Sequence, residues 1–170
     1  MTSPGGAMLQ VRVAHLGLDR TTNTPVVILQ EHDGQRVLPI WIGPAEASAI
    51  AMEMQGVKAQ RPMTHDLLKQ VIMGLGGALL RVTITGVREN TYFAELLLRR
   101  EDQMIQVDAR PSDSIALALR LRAPIFTTDQ LLDHTADEGA EPAPERPLDA
   151  ETLKQYLEKL DPEDFGRFNP

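Results

Sequence analysis

The chain has 170 residues, 42% of them hydrophobic, so it can bury one core but not the cores of two full domains. The absence of cysteine excludes disulfides and thiolate metal sites. No apolar run approaches the roughly 20 residues that cross a bilayer, and the start lacks a basic and a hydrophobic region. We therefore expect a cytoplasmic protein without a membrane partner.

The net charge of −7 is concentrated at the end of the chain. Residues 137 to 170 carry ten acidic and four basic side chains, a balance of −6, which leaves 14 acidic and 13 basic side chains, or −1, before them. These totals do not indicate a strongly basic face for nucleic acid, but they leave room for a local basic patch.

The first third of the chain predicts three strands and a helix. Alternating or β-branched apolar residues place the strands at 9–13, 26–29 and 37–42. The turn signal Asp33-Gly34 precedes the third strand. Proline is tolerated in the first turn of a helix, so we expect Pro44 to open a helix that ends at Gly56.

A second helix is predicted from Thr64 to the glycine-rich stretch 74–77. Thr64 is the expected N-cap, and Asp66 complements the positive end of the helix dipole. One apolar stripe is expected to be buried, consisting of Leu67, Leu68, Val71, Ile72 and Leu75.

The second half of the chain repeats the pattern. Strands are expected at 79–87, 91–98 and 104–108, then a helix at 111–121, a short strand at 124–127 and a helical turn at 129–132. We divide the chain into a domain at 1–134, a flexible linker at 135–148 rich in Ala, Glu and Pro, and a short C-terminal helix and tail at 149–170. Asp149 is the expected cap of that helix, in which Leu153, Tyr156, Leu157 and Leu160 share a face.

The order strand, strand, strand, helix occurs twice, and the two copies align without gaps. Asn23-Thr24 matches Asn90-Thr91, and Pro44 matches Pro111. The sequence therefore predicts an α+β fold built from a duplicated β-β-β-α unit with an additional central helix, its strands mostly antiparallel or mixed.

The duplication places Glu46 and Asp113 at equivalent positions in the first turns of two helices. If the halves pack around a pseudo-twofold axis, the two carboxylates face one groove. They could hold a divalent cation or divide acid and base duties between them. Alternatively, each carboxylate only complements the dipole of its own helix.

The segment RPMTHDLL collects Arg61, Thr64, His65 and Asp66 at one helix start. Backbone N–H groups there can bind an anion, and a histidine can carry a proton near neutral pH or ligate a metal. The alternative is a surface histidine beside a capped helix end.

The segment DARPSDS combines Asp108 at a strand end with Arg110, Ser112 and Asp113 at the next helix start. Arg110 could hold a phosphate in a bidentate manner while Asp108 and Asp113 bind Mg²⁺ or Mn²⁺. In the structural alternative, Arg110 pairs with Asp108 and Ser112 caps the helix.

Common enzyme signatures such as the P-loop, GxSxG, HExxH and GxGxxG are absent from the sequence. Trp41 is the only tryptophan. Its setting in a predicted strand favours a role in the core or in an interface over base stacking.

Three ordered segments resemble the bifunctional nuclease domain family, once described as a domain of unknown function: LPIWIGPAEASAIAMEMQG, RPMTHDLL and DARPSDSIALALRLRAPIF. The resemblance covers roughly residues 8 to 134. It implies an α+β fold, a homo-oligomer and metal-assisted cleavage of DNA or RNA. The motif positions of the family are Glu46, Arg61, Thr64, His65, Asp66, Asp108, Arg110, Ser112 and Asp113.

Two hypotheses remain open. In the first, the chain is a phosphodiesterase whose catalytic residues are His65, Asp66 and Asp113. Its substrate-binding residues are Arg61, Thr64, Arg110 and Ser112, and its ligands for Mg²⁺ or Mn²⁺ are Glu46, Asp108 and Asp113. In the second, the chain is a non-catalytic module that binds an anion or nucleotide, or a regulatory oligomer in which the same residues lock the two halves together.

Overall fold

The computed structural model describes residues 6–137, 145–147 and 149–159. Its strands are β1 (Met8–Asp19), β2 (Pro25–Glu31), β3 (Val37–Trp41), β4 (Gly77–Arg88), β5 (Thr91–Arg100), β6 (Gln103–Ala109), β7 (Ile125–Thr128) and β8 (Glu145–Pro147). Its helices are α1 (Pro44–Met54), α2 (Thr64–Gly74), α3 (Pro111–Leu121), α4 (Asp129–Asp137) and α5 (Ala150–Glu158).

Seven strands form one mixed sheet in the order β3-β2-β1-β7-β4-β5-β6, and β8 pairs with β1. The first three strands form one antiparallel meander and β4 to β6 form another. Between them, β7 runs antiparallel to β1 and parallel to β4. A half-turn about an axis through β7, perpendicular to the sheet, therefore maps the strand order of one meander onto that of the other.

This topology confirms the predicted α+β class with mixed strands. Asn23 and Asn90, which the sequence alignment pairs, both have positive φ, at 54° and 60°. Asparagine tolerates this left-handed conformation better than most residues. Duplication as the origin of the two halves stays a prediction.

The core lies around β2 and between the sheet and its helices. Residues 25–29 of β2 are all buried, so both faces of this strand are covered. In α3, Ile115 and Leu117 are completely buried, and α1 packs against α3. Burying each such side chain contributes about 1.5–3 kcal/mol. This packing fixes the start of α1 beside the start of α3.

The predicted burial of the α2 stripe is wrong. Leu67, Leu68, Val71 and Leu75 are between 40% and 63% exposed, and only Ile72 packs against the core. The physical reason is that α2 contacts α3 through polar side chains, since His65 hydrogen-bonds Asp113 and Asp66 forms an ion pair with Arg120. The apolar side of the helix consequently faces away from the domain.

The predicted linker at 135–148 contains regular structure. The helical turn expected at 129–132 is the helix α4, which continues to Asp137, and β8 adds three residues to the sheet beside β1. Arg36 fastens α4, since its Nη1 lies 3.0 Å from Oδ1 of Asp129. Arg36 and Asp129 lie far apart in the sequence, so the composition of the segment around α4 gives no sign of this ion pair.

The predicted C-terminal helix is present as α5, and Asp149 caps it by accepting a hydrogen bond from the Thr152 amide at 2.7 Å. Tyr156 is buried in the main core. Leu160, which is predicted to lie on the apolar face of this helix, and the tail at 161–170 lie outside the described residues. Among the helices of the described ranges, none has the length and apolar character needed to cross a bilayer.

Candidate functional site

The starts of three helices meet at one point of the structure. His65 in the first turn of α2 places Nε2 2.9 Å from Oδ1 of Asp113 in the first turn of α3. Arg110 donates from Nε to Oδ2 of Asp113 at 2.8 Å and from Nη2 to Oε1 of Glu46 in α1, also at 2.8 Å. We call Glu46, His65, Arg110 and Asp113 the Arg110 cluster.

The local sequence explains this geometry. Pro44 and Pro111 each open a helix whose N-cap backbone is extended. The third residue of each helix is an acid, Glu46 in α1 and Asp113 in α3. Arg110 is the N-cap of α3 and lies between the two carboxylates. The positive ends of the helix dipoles therefore face negative side chains, which stabilises both helix starts.

Asp113 and Arg110 carry opposite charges at neutral pH. Burial raises the pKa of Asp113, but hydrogen bonds from His65 and Arg110 outweigh it and lower that pKa to about 2. The hydrogen bonds to Asp113 in turn raise the pKa of the Arg110 guanidinium. An ionised carboxylate only accepts hydrogen bonds, so Nε2 of His65 carries the proton in this contact and Nδ1 is the ring nitrogen left for other chemistry.

Asp66 belongs to a different contact. Its Oδ1 accepts a hydrogen bond from Nε of Arg120 at 2.8 Å, and its Oδ2 accepts one from the Met63 amide at 3.0 Å. The Arg120 side chain is 5% exposed and also donates to the carbonyl oxygens of Ala116 and Ala49. This geometry explains Asp66 as a structural residue that holds α2 on α3; its catalytic role stays a prediction without support here.

Two predicted helix caps are wrong. Met63, not Thr64, is the N-cap of α2, because the Asp66 carboxylate reaches back to the Met63 amide and so fixes the start one residue earlier. Arg110, not Ser112, is the N-cap of α3, and it is the Ser114 hydroxyl that donates to the Arg110 carbonyl, at 2.9 Å. Ser112 is buried.

The other predicted site residues lie apart from the cluster. Asp108 is exposed on β6 opposite Glu95, and the ion pair proposed between Asp108 and Arg110 does not form because Arg110 binds Asp113 and Glu46 instead. Arg61 and Thr64 are exposed near the start of α2 and contribute none of the contacts of the cluster. The structure thus brings together four of the nine predicted residues.

The arrangement does not fit the predicted metal site of Glu46, Asp108 and Asp113. Within residues 6–137 and the two shorter described stretches, no three His, Asp or Glu side chains are placed to hold one metal ion. The Arg110 guanidinium lies between the carboxylates of Glu46 and Asp113 and already neutralises the negative charge that would attract a cation.

Sequence reasoning missed a pocket of about 750 Å³ beside the cluster. Arg110 and Ser112 form part of its wall, and Trp41 and Asn90 form other parts. Sequence reasoning also missed Arg120, although a lone arginine within the apolar run IALALRL is a signal for a buried ion pair. No local pattern could have shown the pocket, because its walls come from distant segments.

Comparison with known proteins identifies the family. The model of the bifunctional nuclease domain matches residues 27–139. An uncharacterized protein of Mycobacterium tuberculosis is 42% identical over 93% of this chain and 98% of its own length. Bifunctional nuclease 1 of Oryza sativa is 23% identical over 86% of this chain, and bifunctional nuclease 1 of Arabidopsis thaliana is 29% identical over 59% of it.

The alignments span 45% of the rice protein and 32% of the Arabidopsis protein, so less than half of each plant relative corresponds to this chain. The family match covers well over half of the chain and includes all four residues of the Arg110 cluster. The resemblance of the three sequence segments is thereby confirmed, and the chain belongs to the bifunctional nuclease domain family.

Proposed function

We propose that the chain is a nuclease-like domain that binds DNA or RNA at the Arg110 cluster and hydrolyses phosphodiester bonds there. The contact that carries this proposal is the 2.9 Å pair of His65 and Asp113, which lies beside an arginine at the meeting point of three helix starts. Membership of the family and the names of the plant relatives support nucleic acid as the substrate class.

In the proposed reaction His65 is the general base. Asp113 holds Nε2 and stabilises the imidazolium that forms when Nδ1 takes a proton from the attacking water. The described hydrogen bonds of Arg110 use Nε and Nη2 of its guanidinium. The N–H groups of Nη1 can therefore donate hydrogen bonds to a phosphate oxygen. We assign Arg61 and Thr64, which are exposed at the start of α2, to neighbouring phosphates of the strand.

No step of the proposed reaction runs through Mg²⁺ or Mn²⁺, because Arg110 already neutralises the carboxylates that would bind the ion. Cleavage by wild-type protein measured in EDTA, and then with each cation added, tests this point. Activity that persists in EDTA supports the histidine mechanism, whereas activity that needs Mn²⁺ or Mg²⁺ requires Arg110 to leave the two carboxylates.

The charged and polar side chains at the three helix starts are paired with one another. This pairing favours a second candidate function, a binding or regulatory module in which the cluster is structural. Arg110 joins α1 to α3, while His65 and Asp66 join α2 to α3, so the same contacts lock three helices together. In this candidate the cluster variants lose stability, and wild-type protein cuts no nucleic acid.

The decisive experiment is a cleavage assay on single-stranded and duplex DNA and RNA with His65→Ala and a matched control, His32→Ala. His32 is exposed in the turn between β2 and β3 and is not part of the cluster. We expect a loss of at least about 100-fold for His65→Ala and wild-type rates for the control, as for removal of a general base. Full activity of a folded His65→Ala protein would refute the proposed mechanism.

We also propose that the chain forms a homo-oligomer through the exposed face of α2. Leu67, Leu68, Val71 and Leu75 leave an uninterrupted apolar stripe on this helix. Apolar patches of this kind on soluble proteins mark contact surfaces, and a symmetric dimer would place the stripe of one copy on the same stripe of the other.

A further inference from the structure

We propose that the pocket beside the Arg110 cluster is a nucleobase subsite, in which one unpaired base of a single strand lies against Trp41 while its phosphate contacts Arg110. This inference rests on the proposed function for the choice of nucleic acid as ligand. It adds a preference for single strands and a set of base-contacting residues.

The size and position of the pocket support this assignment. Its volume of about 750 Å³ lies within the range of small-molecule sites, about 300–1,000 Å³. Arg110 belongs both to the cluster and to the wall of the pocket. A phosphate held by Arg110 therefore has its own sugar and base within reach of the cavity.

Trp41 supplies a fixed aromatic surface. Its Nε1 donates a hydrogen bond to Oδ2 of Asp19 at 2.9 Å, and Asp19 is itself buried and accepts from the Thr21 amide at 2.8 Å. The polar edge of the indole is thus satisfied, while 36% of the residue remains exposed at the pocket. An aromatic side chain held in this way can stack on any base, because every base has a π-face. The core or interface role expected for Trp41 from the sequence stays a prediction.

The charges of the wall decide which part of a nucleotide enters. Asp19 and Glu89 place carboxylates in the wall, so a phosphate inside the pocket would be repelled, whereas Arg110 offers it a positive charge. A neutral base meets no such repulsion, and the Glu89 carboxylate and the Asn90 amide can accept its N–H groups. The phosphate consequently stays at the mouth of the pocket and the base lies within it.

This arrangement excludes a paired base. In a duplex the Watson–Crick edges are occupied and the bases are stacked, so only single strands, loops or flipped nucleotides can place a base in a cavity. We therefore expect single-stranded DNA or RNA to bind at least tenfold more tightly than a duplex of the same length.

Trp41 is the only tryptophan, so its fluorescence reports directly on occupancy of the pocket. Wild-type protein is titrated with a single strand long enough for its duplex to stay paired, with that duplex, and with ribose 5-phosphate, which carries a phosphate without a base. We expect saturable quenching by the single strand and none by ribose 5-phosphate. Equal quenching by ribose 5-phosphate, or equal affinity for the duplex, would overturn the subsite.

Two variants provide the second arm, read by anisotropy of a fluorescein-labelled single strand. Trp41→Leu is expected to weaken binding about tenfold, and Trp41→Phe, which keeps a ring, to restore most of it. Melting curves of both proteins establish that they are folded. Wild-type affinity of folded Trp41→Leu protein would contradict the proposal.

The two proposals fail separately. Quenching by the single strand in His65→Ala protein, without cleavage by the wild type, would refute the nuclease proposal and support the subsite. Cleavage by wild-type protein whose Trp41 fluorescence never responds to single strands would support the nuclease proposal and refute the subsite.

Discussion

Nη2 of Arg110 lies 2.8 Å from Oε1 of Glu46, a residue 64 positions earlier in the chain. The same guanidinium binds both carboxylate oxygens of Asp113. One cation therefore joins the first turns of two helices, each of which follows the third strand of a meander. Without it, Glu46 and Asp113 would be two carboxylates with no positive charge between them.

Arg110→Ala is expected to lower the free energy of unfolding by about 1–2 kcal/mol, a value reduced for the partial exposure of the arginine. The physical reason is the repulsion left between Glu46 and Asp113. Urea unfolding of the variant measures the effect. Arg99→Ala, at an exposed position on β5, is the control and should stay within about 0.5 kcal/mol of wild type. Equal losses in both variants would show that Arg110 has no special structural role.

The pH dependence of stability tests the environment of Asp113. Folding lowers its pKa from 3.8 to about 2, so the folded state binds this proton less readily than the unfolded state. The resulting stabilisation is complete above pH 4 and is lost as the pH falls from about 4 to 2. We expect about 1–2 kcal/mol, discounted for partial exposure of the carboxylate. Asp113→Asn should be less stable at neutral pH and have a flatter acid limb; an unchanged acid limb would contradict the assignment.

Most strands and helices could be predicted because their signals are local. Pro44 and Pro111 open helices, and positions such as Val26 and Val37 lie in apolar runs that became buried or half-buried strands. The family could be recognised for the same reason, since its motifs are short and ordered. What the sequence could not show is which side of α2 faces the domain.

That orientation depends on contacts between distant residues. His65 and Asp113 are 48 positions apart, and Asp66 and Arg120 are 54 apart. Two charge-assisted contacts of this kind orient α2 with its polar side inward, against the usual rule that the apolar side is buried. Proximity in the sequence is equally misleading. Asp108 and Asp113 are close in sequence but do not meet, because one is on the strand β6 and the other is in the helix α3.

The Asp66–Arg120 pair gives a prediction that separates structural from catalytic roles. Asp66→Ala leaves a nearly buried guanidinium without its carboxylate, so we expect a loss of roughly 2–4 kcal/mol in unfolding free energy. The double variant Asp66→Ala, Arg120→Met should recover part of this loss, because the unpaired charge is removed with its partner.

The nuclease activity of Asp66→Ala protein, measured per folded molecule, should stay at the wild-type level. A large loss of activity in a fully folded Asp66→Ala protein would instead support the catalytic role predicted from the sequence.

The exposed stripe of α2 gives the last prediction. Val71 and Leu67 lie one helical turn apart on that stripe and are 45% and 56% exposed. A glutamate at either position would place a charge in an apolar contact between two copies, since charges are depleted at the centres of such contacts. We expect wild-type protein to have at least twice the mass of the chain by light scattering and Val71→Glu to have the mass of one chain.

Gln70→Glu is the control variant for this prediction, because it adds the same charge at an exposed position beside the stripe and should keep the wild-type mass. A wild-type protein with the mass of a single chain at micromolar concentration would refute the oligomer, and melting of Val71→Glu at the wild-type temperature would show that the face serves no contact.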